Sequence, residues 1–330
     1  MKIYNVHSCI IDEVDLLYFD CFIKGDLLCF VKPLYHKPTP KLEKWCIRVN
    51  GEPVKFHTNK VSFDWRKENH FGEPVWITKY KIGNPSDIYH ISIKVEEIEQ
   101  FFQLIPYVAE KKLFSVATLF KYDIEEYKRW YDYYKKQGAD HFYVYYNGSL
   151  NDQQKDILDR DDVTVIDWDF RYVNYPLGTE PPKDSKYKYG HHAQPAQINH
   201  ALQLFDDHYM LFCDFDEMLE YPHGTLREML IEHSDVDIFG FRNCWAKEGE
   251  NENEIYHDDP LEYPIRAKNI YKTSSIKHTL KVHQIAQLLP YNIKSDLNMY
   301  HFHKMNESKR LFKNKNFCAP LDYKNYKYIR

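Results

Sequence analysis

Asp214, Asp216 and Glu217 crowd three carboxylates into four positions directly after the apolar run Tyr209–Cys213. Like charges this close are unfavourable unless a cation offsets them. Asp-x-Asp places two side chains on the same side of an extended backbone. That arrangement of oxygen ligands suits a hard divalent ion, which can in turn hold a diphosphate. The competing reading is a solvated turn after a core strand.

The elements around this stretch must position it. Leu113–Phe120 is a continuous apolar run, as in a strand buried on both faces. Asp123 with Glu126 has the form of a helix N-terminus, Ile124, Tyr127, Tyr131 and Tyr134 follow at helical spacing, and Gly138 closes the segment. His141–Tyr146 and Val163–Asp167 read as further strands, with a polar helix over Asp152–Asp159 between them. Alternation of strand and helix with short links predicts a parallel α/β sheet. Ligands of such sheets bind at the carboxyl ends of the strands, which here carry Lys121–Asp123, Asn147 and Asp167. Ala196–Phe205 reads as the helix feeding the Asp-x-Asp strand, and Thr225 with Glu228 forms another capping box. Asp237–Phe241 is a further strand, followed by an acidic segment, Lys247–Asp259, that reads as flexible.

Residues 1 to about 105 carry about seven short apolar or alternating runs, beginning with Lys2–Ile11. Asn50-Gly51 between two of them is a hairpin signal. This pattern predicts a β-sandwich-like accessory domain over residues 1–108, ahead of an α/β domain over 109–330 with a mostly parallel sheet.

A net charge of −5 and 28% charged residues indicate neither general nucleic-acid affinity nor a disordered chain. Seven scattered cysteines without a Cys-x-x-Cys pair point to reduced core thiols. No run approaches the length of a membrane span, and no stretch reads as a signal peptide, so the expected location is cytoplasmic. The last 27 residues, Lys304–Arg330, hold eight Lys and Arg among aromatics against Glu307 and Asp322. Such a segment could touch an anionic membrane peripherally.

Three blocks give residues 112–315 a family resemblance. The first is Lys121–Trp130 with Tyr133, Gly138 and His141–Ser149. The second is Gln194, Gln197 and Asn199 followed by Asp214-Phe-Asp-Glu217. The third is Met299-Tyr-His-Phe-His303 with Lys304. In this order they resemble a GT-A (Rossmann-like) glycosyltransferase, nearest the family 92-like group and related to family 2. Tyr122, Arg129, Tyr134 and Tyr146 depart from the pattern, standing where Asn, Glu, His and Asp are expected.

The resemblance implies transfer of a hexose from a nucleotide-sugar, with a UDP-sugar expected and UDP-galactose first, to a glycan or glycolipid hydroxyl. Asp216 and Asp214 are then the expected metal ligands, with Glu217 in support, for Mn2+ or Mg2+. One of the late histidines, His301 or His303, would complete the set and tilt it towards manganese. Lys304, Arg310 or Lys313 could neutralise phosphates. Lys121, Asp123, Asn147 and Asn199 are the expected contacts to the nucleotide. An inverting transfer needs a general base, and Asp258 and Asp259 ahead of Pro260 are the candidates; a retaining transfer needs none. Trp245 could stack on a sugar. Two other readings stay open: a degenerate transferase that binds glycans or a partner, and an aspartyl-phosphate phosphatase, which also places Asp-x-Asp after a strand.

Overall fold

The computed structural model describes residues 2–10, 16–33, 45–60, 75–83, 85–108, 110–120, 124–170, 193–248, 254–257, 259–263, 266–276, 280, 291–302 and 326–329. The first strand, β1 (Lys2–Asn5), is followed by a short β2 (Cys9–Ile10), β3 (Leu16–Tyr18), β4 (Asp20–Lys24), β5 (Leu27–Pro33), β6 (Trp45–Val49), β7 (Glu52–Pro53), β8 (Lys55–Lys60), β9 (Val75–Lys81), β10 (Tyr89–Val95) and β11 (Ile98–Leu104). Two four-stranded sheets result, ordered β4-β5-β9-β8 and β11-β10-β6-β7. They face each other across one apolar core that joins Leu28 and Phe30 of β5 to Ile47 of β6 and Ile91 and Ile93 of β10. The turn between β6 and β7 uses Asn50 and Gly51, both with positive φ, as the hairpin signal requires.

The alternating side chains of β5 divide between two cores. Leu28 and Phe30 fill the sandwich, while Cys29 and Val31 join a second cluster with Phe22 and Ile77. That second cluster continues into Ile198, Leu202 and Phe205 and on to Met210 and Phe212. The accessory sheets are therefore packed onto the α/β sheet through a shared core. Lys2–Asn5 departs from expectation more sharply: β1 is not a sandwich strand. It pairs in parallel with Val163–Asp167 at the edge of the large sheet. An apolar-alternating run of four residues reads the same in either sheet, so its partner is set by tertiary packing.

The large sheet is built from β12 (Phe114–Phe120), helix α1 (Glu125–Lys136), β13 (His141–Tyr146), α2 (Asp152–Leu158), β14 (Val163–Asp167), α3 (Ala193–Leu204) and β15 (Tyr209–Phe212). They are followed by β16 (Glu217–Glu220), α4 (Leu226–Glu232), β17 (Ile238–Glu248), β18 (Glu254–His257), β19 (Lys268–Lys272), β20 (Ile293–Phe302) and β21 (Tyr326–Ile329). Strands β1, β14, β13, β12 and β15 run parallel in that spatial order. β19, antiparallel to β15, and β17, antiparallel to β19, extend the sheet beyond β15, and β20 pairs with both β17 and β16. This is the expected mixed α/β architecture with a parallel centre. Tyr127, Trp130 and Tyr134 of α1 and Leu226 and Met229 of α4 cover one face, and α3 covers the other.

Local signals explain several boundaries. Asn151 and Thr225 each cap a helix through a reciprocal capping box, with Gln154 and Glu228 respectively. The N-cap of α1 is Ile124, and Asp123 lies outside the described residues. The acidic segment read as flexible is partly strand, since Ala246–Glu248 pairs with Ile255–His257 and β18 pairs in turn with β21. All six described cysteines are free thiols, and five of them are buried. No helix among the described residues is long and apolar enough to cross a membrane.

Gly138 ends α1 with a φ of +87°, and a Cβ there would lie 2.5 Å from Cβ of Arg227. Arg227 is fixed in place, its Nη1 donating to the Gly138 carbonyl at 3.2 Å and to Asp140 Oδ1 at 2.7 Å. Gly138→Ala should therefore cost roughly 1–3 kcal/mol from strain and close contact. Urea denaturation measures it, and a loss below about 0.5 kcal/mol contradicts this account.

Candidate active site

Strand β15 ends at the carboxyl edge of the parallel sheet, and the chain turns there through Cys213–Asp216 into β16. Trp130 Nε1 donates to Cys213 Sγ at 3.3 Å, anchoring the start of the turn to α1. The Tyr134 hydroxyl donates to the Glu217 carbonyl at 2.9 Å and accepts from Leu219 N at 3.3 Å. Tyr133 donates to the Leu219 carbonyl at 2.6 Å. The aromatic face of α1 thus holds β16 by its backbone. Tyr134→Phe removes two of these bonds inside a buried environment and should cost about 1–3 kcal/mol. Denaturant titration reads that loss, and an unchanged midpoint would show that the hydroxyl does not hold β16.

The three carboxylates have different surroundings. Lys268 of β19 sits between two of them, with Nζ 2.9 Å from Asp214 Oδ2 and 3.0 Å from Glu217 Oε2. Glu217 Oε2 also accepts from Asp214 N at 2.8 Å. Burial opposes the Lys268 ammonium, but Asp214 and Glu217 outweigh it and hold its pKa above the ordinary lysine value. Burial pushes the Glu217 carboxyl up, against the pull of Lys268.

Asp216 faces the other way, with Oδ2 3.3 Å from His301 Nε2. Its carbonyl accepts from Phe302 N at 2.7 Å, which ties the turn to β20. Burial would raise Asp216, yet the hydrogen bond from His301 holds the carboxyl below its usual range. Burial likewise works against a charged His301, and Asp216 and Glu217 together keep its pKa above the ordinary value. His301 Nδ1 lies 3.1 Å from Asn243 Oδ1. An amide oxygen can only accept, so Asn243 places a proton on Nδ1 and directs Nε2 to Asp216. Trp245 stacks on the imidazole, with ring centroids 4.6 Å apart and planes 28° from parallel. One face of Trp245 is thereby covered by His301, and the Arg266 guanidinium lies 5.3 Å from the same ring.

A sequence model of glycosyltransferase family 92 matches residues 111–325. The chain belongs to glycosyltransferase family 92. No curated protein matches it in sequence. Among solved structures, it is similar to the mannosyltransferase Ktr4p from S. cerevisiae at 9% identity and a TM-score of 0.26, over 40% of this chain and 39% of that one. It is also similar to S. aureus TarS 1-349 at 14% identity and a TM-score of 0.32, over 58% of this chain and 60% of that one. The alignments thus span less than two thirds of either protein, and at these scores neither bears on substrate or mechanism. Family membership sets aside the phosphatase alternative.

In this family 92 chain, four sequence-predicted residues fall outside the described set: Lys121, Asp123, Asp258 and His303. So do Lys304, Arg310 and Lys313. Asp216 and His301 are brought together, Oδ2 lying 3.3 Å from Nε2. Asp214, two residues before Asp216, is turned to Lys268. Asn147 and Asn199 are not open contacts for a nucleotide. The Asn147 amide donates to the carbonyls of Trp168 and Phe170. Asn199 donates to the carbonyls of Pro195 and Leu280 and accepts from Leu280 N. Both are buried and satisfy backbone groups, Asn147 beyond β14 and Asn199 within α3 and at Leu280. Asp259 is exposed, in a segment docked beside Asn243 by the Leu261 N to Asn243 O bond at 2.8 Å.

Among the described residues, no group of three or more His, Cys, Asp or Glu side chains is arranged to hold a metal. Asp216 and His301 offer one oxygen and one nitrogen donor; Asn243 orients the His301 ring, and Phe302 N holds the Asp216 backbone. Sequence reasoning missed Lys268 and Asn243. The available signal was a pair of polar residues inside each of two mainly apolar stretches, Lys268-Asn269 in Ala267–Tyr271 and Arg242-Asn243 in Ile238–Trp245.

Proposed function

We propose that this chain transfers a hexose from a UDP-sugar, UDP-galactose first, to a hydroxyl of a glycan or glycolipid, with Mn2+ or Mg2+ bound by Asp216 and His301. The observation that carries this reading is the opposed Asp216–His301 pair at the carboxyl end of the parallel sheet, where α/β folds bind ligands. When bound, the ion would neutralise charge developing on the departing diphosphate.

The remaining work belongs to the chain itself. Asn243 orients His301, Phe302 N anchors the Asp216 backbone to β20, and α1 holds β16 after the turn. An oxygen and a nitrogen donor together favour manganese over magnesium. For the acceptor hydroxyl in an inverting transfer, Asp259 is the base we favour, because its segment docks against the strand carrying Asn243. Asp258 is its neighbour in sequence.

The test is thermal unfolding of the protein with MnCl2, UDP, both or neither. UDP with Mn2+ should stabilise by about 2–3 kcal/mol at a hundredfold excess over Kd. If no nucleoside diphosphate shifts the midpoint with either ion, the transferase reading fails and a degenerate binding protein takes its place.

A further inference from the structure

Lys268 is only 3% exposed, at the start of an interior strand. Its ammonium bridges Asp214 and Glu217, and Glu217 closes the arrangement by accepting from the Asp214 backbone. The other Asp214 oxygen, Oδ1, is approached by Gln194 Nε2 at 3.4 Å. A cavity of about 10 Å³, the size of one water, adjoins Lys268 and Asp214. Its remaining polar lining is Thr118, Gln194 and Gln197, a hydroxyl and two amides with no further acid. The protein therefore places a fixed cation among the carboxylates that would otherwise attract a free one most strongly.

A divalent ion of this class takes about six ligands. Asp216 and His301 supply two among the described residues, and the Lys268 charge sits a few ångströms away behind Asp214 and Glu217. A free ion would therefore rely on water for most of its ligands while facing the Lys268 charge. A nucleotide diphosphate changes both conditions, because its oxygens add ligands and its negative charge offsets Lys268.

We infer that Lys268 is a built-in competitor for the divalent ion, occupying Asp214 and Glu217 so that the ion binds only together with a nucleotide diphosphate. This inference rests on the proposed function and assigns Lys268 as a positioning residue. Its logic is thermodynamic coupling between two ligands, which must be reciprocal: UDP strengthens Mn2+ binding by the factor that Mn2+ strengthens UDP binding.

The experiment measures Mn2+ binding to the full chain, by titration calorimetry and by the electron paramagnetic resonance signal of free Mn2+. Wild type and Lys268→Gln are compared with and without saturating UDP. Wild type should bind Mn2+ weakly alone and at least roughly tenfold more tightly with UDP. Lys268→Gln should bind Mn2+ alone about tenfold more tightly than wild type does, with a smaller gain from UDP. A purely structural lysine predicts the opposite, weaker ion binding in the variant. Equal wild-type affinity with and without UDP overturns the inference, as does a folded Lys268→Gln that binds the free ion no more tightly. If the variant does not fold, the wild-type comparison alone decides. Absence of Mn2+ binding to wild type even with UDP is a separate result, which defeats the proposed metal role and the inference with it.

Discussion

Asp216→Asn should lower sugar transfer by roughly a thousandfold while leaving the fold intact. The substitution keeps the size and shape of the side chain and removes its charge. Its carbonyl still accepts from Phe302 N, so the turn remains tied to β20. The Asp216 side chain is 42% exposed and meets His301, so little stability rests on it. The loss should fall on turnover and on the gain in stability from Mn2+ with UDP. Donor turnover assayed across nucleotide-sugars, beside a melting curve, separates these effects. A variant that keeps more than a tenth of wild-type turnover would remove Asp216 from the reaction.

The second large effect is expected far from that turn, at Asp20. This carboxylate is fully buried and collects four donors: Tyr4 OH at 2.8 Å, His7 N at 2.6 Å, Cys21 N at 2.8 Å and His200 Nε2 at 2.7 Å. His200, on α3, is also 2.7 Å from the Tyr145 hydroxyl through Nδ1. The network joins β4 of the accessory sheets to β1, α3 and β13 of the large sheet. Asp20→Ala leaves several buried donors without a partner and should cost about 3–5 kcal/mol. Asp20→Asn keeps an acceptor oxygen and should cost less. Guanidinium denaturation followed by far-UV dichroism measures both, and a loss under about 1 kcal/mol for Asp20→Ala would mean that water replaces the carboxylate freely.

The sequence made visible those features that depend on neighbours in the chain. The capping box at Thr225, the apolar run Leu113–Phe120 and the tyrosine face of α1 are local patterns, and each appears in the fold. Asp214, Asp216 and Glu217 drew notice for the same reason, since three acids after an apolar strand are a local anomaly. What offsets them was not legible. Lys268 is 54 residues from Asp214, and Asn243 is 58 residues from His301. Both arrive through antiparallel or parallel pairings that one sequence does not specify. Asn147 and Asn199 show a second role for such residues. A polar residue near a strand end or on a buried helix suggests a ligand contact, yet here the same amides satisfy backbone carbonyls, at Trp168 beyond β14 and at Pro195 within α3. The first strand was misplaced because strand periodicity identifies a strand and not its sheet.

The position of His301 has a consequence for how such a site tolerates change. It lies opposite Glu217 on one side of β20 and opposite Trp245 on the other. Side chains alternate between faces along a strand, so a slip of one residue would present Tyr300 or Phe302 in its place. The sheet could keep nearly all its hydrogen bonds through such a slip and still lose the nitrogen donor. The site therefore behaves like text with a reading frame. Single-letter changes along Ile293–Tyr300 leave the message in phase, whereas one inserted or deleted letter shifts it, unless a bulge such as that between Phe239 and Phe241 restores the count. Length variation in this family's active members should accordingly gather in the connections outside β16, β17 and β20.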